Sequence, residues 1–452
     1  MTNVLSTIGP VTQDVKNLKK IVKYSKFVRL NGAHNSLKWH ENICKRIKKI
    51  NPSCKILIDL PGIKPRTLNQ HKLQIKKNEK IIFYFKKQAR NKNIKQIQLS
   101  KPLPKFKNPK VFSVSDGKFT FKFISKSKNY IIGKSSENFT LLSNKGLNIP
   151  FSIYDDNFQK KIYLNFLKKI KKFNFDAIGL SYVQNHSLIK ILRNQSNKII
   201  VSKIENDQGC KNMNSICQVS DIIMIDRGDL AAEIGDTNLY NQTIKISKCA
   251  KFYGKLLIMA TENLETMIFN NVPTKSEIIS LSFSKSLNAD YLMLSDETAT
   301  SKKFLQIINW LKNFNSTQEN QKKSSRNKTF ISTKDILFQN LSKISEKENK
   351  IILFTRKGYI IEKILSINPA IEMIIFTDNQ KVYDLSFLRM NSLIFKTSKF
   401  PKSLDKFIYF NIKKNKKIIF KNDKGVCLLY AAFARKHSRA NTLSVLEEKD
   451  FR

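Results

Sequence analysis

Short apolar runs rich in β-branched residues alternate with amphipathic, lysine-rich segments over the first two thirds of the chain. Most intervals between the runs hold one segment of helix length, and this alternation predicts β-α units around a parallel sheet. Eight such strands form a closed (β/α)8 barrel, or TIM barrel, with its active site at the carboxyl ends of the strands. The eight runs are VLSTIG (4–9), FVRLN (27–31), KILIDL (55–60), AIGLSYV (177–183), IIVSKIE (199–205), DIIMID (221–226), KLLIMAT (255–261) and DYLMLSDE (290–297).

The interval between the third and fourth runs is too long for one helix, since more than a hundred residues separate Leu60 from Ala177. Strand-like runs fill much of it, and we predict a small β domain over residues 68–148, inserted after the third barrel strand. The barrel is then expected over residues 1–67 and 149–320. The strand-like runs are KLQIK, KIIFYF, KVFSVSDGKFTFKFI, NYIIG and NFTLLSN.

A polar segment, NSTQENQKKSSRNKT, follows the last barrel pattern and has the composition of a linker. Four further apolar runs, with helical segments between them, predict a separate C-terminal α/β domain over residues 330–452. The runs are IILFT (351–355), EMIIFT (372–377), SLIFKT (392–397) and KKIIF (416–420).

The formal net charge of +47 raises the question of nucleic-acid binding. The lysines are spread over nearly every predicted helix and loop, and Ile, Asn and Phe are abundant with them. This composition fits AT-rich codons, as in the genomes of bacterial endosymbionts, and a lysine-rich surface in contact with solvent. We therefore expect no specific nucleic-acid partner, although the charge would attract phosphorylated small molecules.

The sequence also bears on location. Its longest apolar runs are far shorter than the roughly 20 residues of a membrane helix, and MTNVLSTIGP lacks the charged and apolar segments of a secretory signal. The six cysteines form no C-x-x-C pair, which favours free thiols in a reducing compartment. We expect a cytoplasmic protein without a membrane partner.

Candidate functional side chains gather at the predicted strand ends. Lys203 and Glu205 are two residues apart, so they lie on the same side of the fifth strand, where they could simply form a salt bridge. Asp229, after the sixth strand, favours another interpretation, because two carboxylates can hold a Mg²⁺ that takes further oxygens from a substrate. Lys203 would then stabilise charge beside the metal, and Thr261 adds a hydroxyl. Arginines that suit phosphate or carboxylate binding near strand ends are Arg29, Arg66 and Arg227.

Ten short motifs, in order along the chain, resemble the successive signatures of the pyruvate kinase family. The resemblance implies a TIM barrel with a small β-barrel lid domain after strand three and a C-terminal α/β domain. It also implies transfer of the phosphoryl group of phosphoenolpyruvate to ADP, giving pyruvate and ATP. The motifs are STIGP (6–10), VRLNGAH (28–34), IDLPGIKPRT (58–67), SDG (115–117), NKGLNIP (144–150), SKIEND (202–207), RGDL (227–230), ATENLETM (260–267), PTKSE (273–277) and LSDETA (294–299).

The resemblance implies roles on the substrate side of the site. Arg29 would hold the transferring phosphoryl group, and Lys203 would stabilise that group and the developing enolate. Glu205 and Asp229 would bind the protein-held Mg²⁺. The backbone of Gly228 and Asp229 and the hydroxyl of Thr261 would receive the substrate carboxylate.

On the nucleotide side, the matching positions are Asn31, His34, Arg66 and Lys145. Asp116 matches a lid residue that closes over the site. The resemblance further implies a second Mg²⁺ carried by the nucleotide, and a homotetramer. Ser280 and Phe283 replace polar residues in a helix that the family uses for subunit contact.

The family's monovalent-cation site is only partly present. Asn31 and Asp59 match it, whereas Ala33 and Leu60 stand in the other two places. Lys64 stands where potassium-dependent members commonly have a glutamate, and its ammonium can replace the charge of the ion. We expect that K⁺ is not required.

Three further residues depart from the family: Pro61 replaces a lysine, Asp226 a small residue and Glu262 a glutamine. Arg227 is the expected partner of Asp226. Two alternatives to the kinase stay open, a Mg²⁺-dependent lyase acting beside a pyruvate enolate on a related barrel, and a catalytically decayed kinase scaffold that binds polyanions.

Overall fold

The computed structural model describes residues 2–86, 93–317, 350–369, 371–389, 392–401, 404–420, 426–430 and 442–451. Over the first two of these ranges, strands alternate with helices and a β-rich segment interrupts the series after the third strand. The strands are β1 (Asn3–Thr7), β2 (Phe27–Asn31), β3 (Lys55–Leu60), β4 (Leu73–Ile75), β5 (Lys80–Tyr84), β6 (Lys95–Gln98), β7 (Val111–Val114), β8 (Phe119–Lys126), β9 (Tyr130–Ser135), β10 (Phe139–Leu141), β11 (Leu147–Asn148), β12 (Ala177–Leu180), β13 (Ile199–Ile204), β14 (Ile222–Asp226), β15 (Leu256–Ala260) and β16 (Tyr291–Leu294).

The predicted barrel is confirmed, and within the described residues eight parallel strands close in the order β1, β2, β3, β12, β13, β14, β15, β16. Closure joins the first strand to the last, with Asn3 opposite Tyr291. Both faces of the strands are buried, because one face packs against the helices and the other fills the barrel interior. Strands β12 and β16 end three residues before the predicted runs do, at Leu180 and Leu294.

The helices between and after these strands follow the predicted amphipathic segments. Aspartate, serine or asparagine caps the amino ends of several of them, as with Asp14 before α1 and Ser36 before α2. The helices are α1 (Val15–Tyr24), α2 (Leu37–Ile50), α3 (Asp156–Ile170), α4 (His186–Gln195), α5 (Asp207–Lys211), α6 (Met213–Val219), α7 (Arg227–Ile234), α8 (Asp236–Phe252), α9 (Lys275–Ser286), α10 (Asp296–Ala299) and α11 (Phe304–Thr317), with a short 3-10 turn at Glu265–Ile268. None of the described helices is both long and apolar enough to cross a membrane.

The insertion after β3 is β-rich, as predicted. Its main sheet has the order β11-β7-β8-β9-β5-β6, and β10 pairs with β4. Stacked and edge-on phenylalanines, among them Phe83, Phe112 and Phe121, fill its core. Strand β6 had no counterpart among the predicted runs, because its sequence KQIQ has only one apolar residue.

The C-terminal segment forms a five-stranded sheet in the order β19-β18-β17-β20-β21, as expected for an α/β domain. The run KKIIF, predicted as a strand, instead ends a helix; this prediction is wrong because Ile408, Ile412 and Ile419 repeat at helical spacing and are buried together. The first three residues of the predicted linker, 315–317, are the end of helix Phe304–Thr317, while the rest of the linker and the boundary near residues 320–330 lie outside the described residues. The elements are β17 (Lys350–Phe354), α12 (Tyr359–Ile367), β18 (Glu372–Thr377), α13 (Gln380–Phe387), β19 (Ser392–Lys396), α14 (Asp405–Ile419), β20 (Val426–Tyr430) and β21 (Thr442–Leu446).

At the foot of the barrel, where the strands begin, the same aspartate hydrogen-bonding arrangement occurs three times. An aspartate precedes β12, β14 and β16, and its carboxylate accepts a hydrogen bond from a backbone N–H of the neighbouring strand. Each aspartate also pairs with a lysine, so the charge is neutralised as well as hydrogen-bonded. The hydrogen bonds are Ile56 N–H to Asp176 at 2.8 Å, Ile200 N–H to Asp221 at 2.8 Å and Leu257 N–H to Asp290 at 2.7 Å.

The C-terminal segment packs against this foot. Leu388 joins the apolar cluster inside the barrel, and its carbonyl accepts a hydrogen bond of 2.6 Å from the hydroxyl of Tyr291. Ion pairs surround this contact, so the foot is sealed by both apolar and charged groups. The ion pairs are Lys55–Asp384 at 2.5 Å, Lys255–Glu362 at 2.7 Å and Lys381–Asp221 at 2.8 Å.

Candidate active site

A cleft of about 1010 Å³ opens at the other end of the barrel, where the strands finish. The insertion forms one of its walls, through Ser115, Asp116 and Lys118. Thirteen of the site residues predicted from the sequence line this cleft, to which both domains contribute, whereas the candidate Arg227 does not line it. These residues are Arg29, Asn31, His34, Asp59, Lys64, Arg66, Asp116, Lys145, Lys203, Glu205, Gly228, Asp229 and Thr261.

Arg29 is fixed by the strand next to it. Its Nε lies 2.7 Å from Oδ2 of Asp59, and its Nη1 donates to the hydroxyl of Thr7 at 3.3 Å. Burial alone would lower the pKa of Arg29, but the Asp59 carboxylate raises it above its usual value. Asp59 shows the converse effect, because Arg29 and Lys203 hold the pKa of its buried carboxyl below the usual range. Arg29 is therefore a permanent, oriented cation at the cleft floor.

Lys203 lies at the centre of the carboxylate groups. Its Nζ is 2.6 Å from Oε1 of Glu205, 3.4 Å from Oδ2 of Asp226 and 3.7 Å from Oδ2 of Asp59. Although burial opposes the charged form, these carboxylates raise the pKa of Lys203 above its usual value. The ammonium stays charged at physiological pH, so its chemistry is electrostatic stabilisation and not proton abstraction.

Three carboxylates meet beside this ammonium. One oxygen from each of Glu205, Asp226 and Asp229 lies within 4.8 Å of the others. Burial raises the pKa of Glu205 to about 8. Lys203 acts to lower this pKa, but the nearby Asp226 and Asp229 carboxylates oppose its effect. An all-oxygen set of anionic ligands suits Mg²⁺, and a divalent cation would relieve this repulsion. The donor set thus fits the predicted metal pair, Glu205 and Asp229, with Asp226 as a third acidic neighbour.

Asp226 has other partners than the sequence suggested. The prediction that Arg227 pairs with it is wrong, since Asp226 lies beside Lys203 and accepts a hydrogen bond from the Thr261 hydroxyl at 3.2 Å. Arg227 instead donates to Asn263 Oδ1 at 3.0 Å and to the Glu262 carbonyl at 3.1 Å. The guanidinium of Arg227 thus hydrogen-bonds to the loop after β15 and not to the Asp226 carboxylate.

The loop after β15 has a constrained backbone. Thr261 and Glu262 both adopt positive φ, at 60° and 52°, which is uncommon for residues with a β-carbon. In this conformation the Thr261 hydroxyl oxygen accepts a hydrogen bond of 3.0 Å from the backbone N–H of Gly228, in the first turn of α7. Backbone N–H groups of a first helical turn, together with a hydroxyl, suit an anionic oxygen.

Lys64 links the insertion to the barrel. Its Nζ lies 2.6 Å from Oδ1 of Asp116 and also pairs with Oδ1 of Asp229. Burial opposes the charge, but Asp229 and Asp116 raise the pKa of Lys64 above its usual value. A β-carbon on Gly146 would lie 2.3 Å from Cε of Lys64, so this glycine gives the buried lysine its space. The ammonium is a fixed internal cation.

The predicted nucleotide-side residues line the outer part of the cleft. Arg66 donates to the carbonyl of Asn144 at 3.0 Å, and the side chain of Asn31 accepts the Ala33 N–H at 3.1 Å. Burial and the nearby Arg66 and Arg29 lower the pKa of His34, which favours a neutral ring. This part of the cleft is cationic, as a phosphate-bearing ligand requires.

Sequence reasoning missed Tyr182 and Glu233. Tyr182 donates its backbone N–H to Oε2 of Glu205 at 2.6 Å and its hydroxyl to Oδ1 of Asp229 at 3.0 Å. Burial and the Asp229 and Glu233 carboxyls raise the pKa of Tyr182 well above its usual range, so it remains a hydroxyl donor. The predicted strand 177–183 included Tyr182, whereas β12 ends at Leu180; a strand end placed there would have marked Tyr182 as a mouth residue.

Comparisons with known proteins relate the chain to one family. Residues 1–306 match the family model of the pyruvate kinase barrel domain. The chain is similar to the pyruvate kinase of Buchnera aphidicola, with 30% identity over 67% of this chain and 66% of that protein. It is 26% identical to the pyruvate kinase of Thermotoga maritima over 99% of both chains. The pyruvate kinase of Candida albicans is 27% identical over 86% of this chain and 82% of its own.

Proposed function

The chain belongs to the pyruvate kinase family, and we propose that it transfers the phosphoryl group of phosphoenolpyruvate to ADP, yielding pyruvate and ATP in glycolysis. The observation that supports this most directly is the cleft in which Arg29 and Lys203 lie beside the carboxylates of Glu205 and Asp229. Two fixed cations and a metal-binding pair suit a reaction whose substrates and transition state are all anionic.

The substrate-side roles are those that the family resemblance implies, and the charges and positions in the cleft are consistent with them. Arg29 holds the transferring phosphoryl group, and Lys203 stabilises that group and the enolate oxygen as negative charge develops. Gly228 and Asp229 N–H groups, with the Thr261 hydroxyl, receive the substrate carboxylate. Glu205 and Asp229 would hold a Mg²⁺, which when bound would supply Lewis-acid stabilisation of anionic oxygen. Positioning and exclusion of water supply the remainder of the rate enhancement.

The nucleotide occupies the outer part of the cleft. Asn31, His34, Arg66 and Lys145 line its binding region, and ADP brings the second Mg²⁺ with its phosphates. Asp116, on the insertion, acts at the lid that closes over the bound substrates, and the Lys64 ion pair already ties it to the barrel.

Lys64 also supplies the charge for which relatives use a monovalent cation. Of the residual cation site, Asn31 is turned to a backbone N–H and Asp59 is paired with Arg29. We expect no K⁺ requirement, so the rate should change little when KCl replaces tetramethylammonium chloride at equal ionic strength. A many-fold rise in KCl would reject this expectation.

A homotetramer is proposed from family membership. Helix α9 exposes Ile279, and Tyr240 of α8 stacks on Phe283 of α9 with ring centroids 5.2 Å apart. An apolar surface of this kind suits contact between subunits. Light scattering that gives the mass of one chain would contradict it. A cytoplasmic location is proposed on the same basis, and a fluorescent fusion found at the membrane would contradict that.

Replacement of Lys203 tests the reaction and separates it from the two alternatives. With Mg²⁺, the protein should release pyruvate from phosphoenolpyruvate only when ADP is present, and Lys203→Met should lower kcat by about 10²–10³-fold or more. Lys255→Met is the matched control, since Lys255 is also buried and ion-paired, 2.7 Å from Glu362, but lies at the foot.

Pyruvate release without ADP would instead favour a lyase. Absence of any pyruvate, together with salt-sensitive binding of polyanions, would favour a decayed scaffold. Equal losses in Lys203→Met and Lys255→Met would mean that removal of a buried ammonium, and not the loss of a catalytic group, lowers the rate.

A further inference from the structure

We propose that Tyr182 is a positioning residue that fixes both carboxylates of the metal pair, Glu205 through its backbone N–H and Asp229 through its side-chain hydroxyl. The inference rests on the proposed function in one respect, the assignment of Glu205 and Asp229 as metal ligands. Tyr182 is 2% exposed, and the role assigned to it is through these two carboxylates and not through a substrate contact. Its effect would be to hold two ligands, one directly after β13 and one in α7, at a set separation.

Tyr182 contacts only one of the two oxygens of each carboxylate. Tyr182 N–H occupies Oε2 of Glu205 at 2.6 Å, and Oε1 of Glu205 has the Lys203 ion pair but no hydrogen-bond partner among the described residues. Tyr182 OH and Lys64 Nζ both contact Oδ1 of Asp229, so Oδ2 is available to a cation. One residue thereby sets the rotation of both ligands.

The direction of the Tyr182 hydroxyl is fixed by its own neighbours. The amide of Asn148 donates to the Tyr182 oxygen at 3.3 Å and to Glu233 at 3.0 Å. Because the phenolic oxygen accepts from Asn148, its single proton is directed to Asp229. The ring of Tyr154 packs edge-on against that of Tyr182, with centroids 5.3 Å apart, and prevents the ring from moving aside.

Both contacts of Tyr182 depend on an uncommon backbone conformation at this residue. Its φ of 61° lies in the left-handed region, which is unfavourable for an aromatic residue. The surrounding chain enforces the conformation, since Gln159 donates to the Tyr182 carbonyl at 2.8 Å and Tyr163 OH donates to the Ser181 carbonyl. In this conformation the N–H reaches Glu205 while the ring reaches Asp229, which are contributed by separate elements.

Metal binding in the absence of substrates provides the test. The affinity for Mn²⁺, followed by electron paramagnetic resonance, and for Mg²⁺, followed by calorimetry, should fall about tenfold in Tyr182→Phe. Tyr291→Phe is the matched control, because it also removes one buried phenolic hydroxyl that donates a hydrogen bond, at 2.6 Å to Leu388, but at the foot of the barrel. It should leave metal affinity unchanged.

The outcomes separate this inference from the proposed function. Equal metal affinity in the unsubstituted protein and Tyr182→Phe would overturn the role of Tyr182 and leave the metal pair intact. A protein that binds neither ion before substitution, or whose binding survives Glu205→Gln with Asp229→Asn, would overturn the metal pair and this inference with it. Equal weakening in Tyr182→Phe and Tyr291→Phe would also overturn it, since a general loosening of the barrel would then explain both.

Discussion

The two ends of the barrel use lysine and carboxylate side chains in opposite ways. At the foot, Asp176, Asp221 and Asp290 each accept a backbone N–H and face a cation, so their charge is fully compensated. Burial would raise the pKa of Asp221, but Lys381 and Arg193 hold it below its usual value. The charged groups at the foot have their partners within the chain and need no ligand, so we assign the foot a role in stability.

At the mouth, the carboxylates exceed their local partners. Burial raises the pKa of Glu205 and Glu233 to about 8 and that of Glu297 to about 7, and nearby acids add to the effect for each. Positive φ at Tyr182, Thr261 and Glu262 adds backbone strain at the same end. The folded chain does not fully neutralise the charge of these carboxyls. A bound cation, together with an anionic substrate, can supply the missing charge partners. The difference shows where the fold serves stability and where it serves a ligand.

The largest effect should come from the mouth, from Asp229→Asn. Loss of the carboxylate charge weakens metal binding, and we expect kcat/KM to fall by about 10³-fold, equivalent to about 4 kcal/mol. Steady-state kinetics over a Mg²⁺ titration would measure it. The change in the free energy of unfolding should be smaller than for the foot variant described next, and a reversed order would remove the distinction between the two ends.

At the other end of the same β-α unit, Asp221→Asn should act on stability. Asp221 is buried beside Arg193 at 3.1 Å and Lys381 at 2.8 Å, and the substitution leaves both cations without their partner. We expect the free energy of unfolding to fall by about 3 kcal/mol, measured by urea denaturation. The kcat of the folded protein should stay within about twofold of the unsubstituted value; a loss comparable to that of Asp229→Asn would contradict the comparison.

The pH dependence of stability should differ in sign between Glu233 at the mouth and Asp221 at the foot. Glu233 is fully buried and its pKa is raised from 4.5 to about 8, so its stabilising contribution is complete below about pH 4.5 and is lost as pH rises through 8. The pKa of Asp221 is lowered by folding, so Asp221 stabilises the folded protein at pH values above its unfolded pKa of 3.8. This stabilisation is lost as the pH falls below that value.

Glu233→Gln isolates the mouth contribution. Between pH 5 and pH 8 the unsubstituted protein should lose of the order of 3 kcal/mol more unfolding free energy than Glu233→Gln does, because the amide cannot ionise. Denaturation curves at three pH values would show it. Parallel pH profiles for the two proteins would show that Glu233 does not carry this dependence.

The smallest effect should come from Arg193→Ala at the foot. Arg193 is about one third exposed, and Lys381 remains beside Asp221 after the substitution. We expect a loss of roughly 0.5–1 kcal/mol in unfolding free energy and no change in activity. A loss as large as that of Asp221→Asn would mean that Arg193, and not the pair of cations, compensates the aspartate.

The sequence was sufficient for the barrel because its pattern is regular. Buried strands such as β14 read as continuous apolar runs, and the intervening helices have lysine on the outer face. It was insufficient where the pattern is short or ambiguous. Strand β6 has one apolar residue in four, and KKIIF suits either a strand or the end of a helix until its packing is known.

For the site, the sequence predicted which residues meet but not all of their contacts. The family motifs mark Lys203, Glu205 and Asp229, and the structure places them together. The motifs do not reveal that Asp226 would face Lys203, since that depends on side-chain direction at the end of β14. Tyr182 was hidden for a related reason: its role depends on a positive φ, and apolar periodicity contains no information about one.

Closure of the barrel between β1 and β16 also has a consequence during synthesis. Strand β1 pairs on one side with β2 and on the other with β16, whose first residue is Tyr291. At about 5–20 residues per second, the ribosome takes on the order of 15–60 s to add the chain between them. Throughout that time one edge of β1 is an unpaired, apolar template for other chains. The newly made chain should therefore depend on chaperones until its eighth barrel strand emerges.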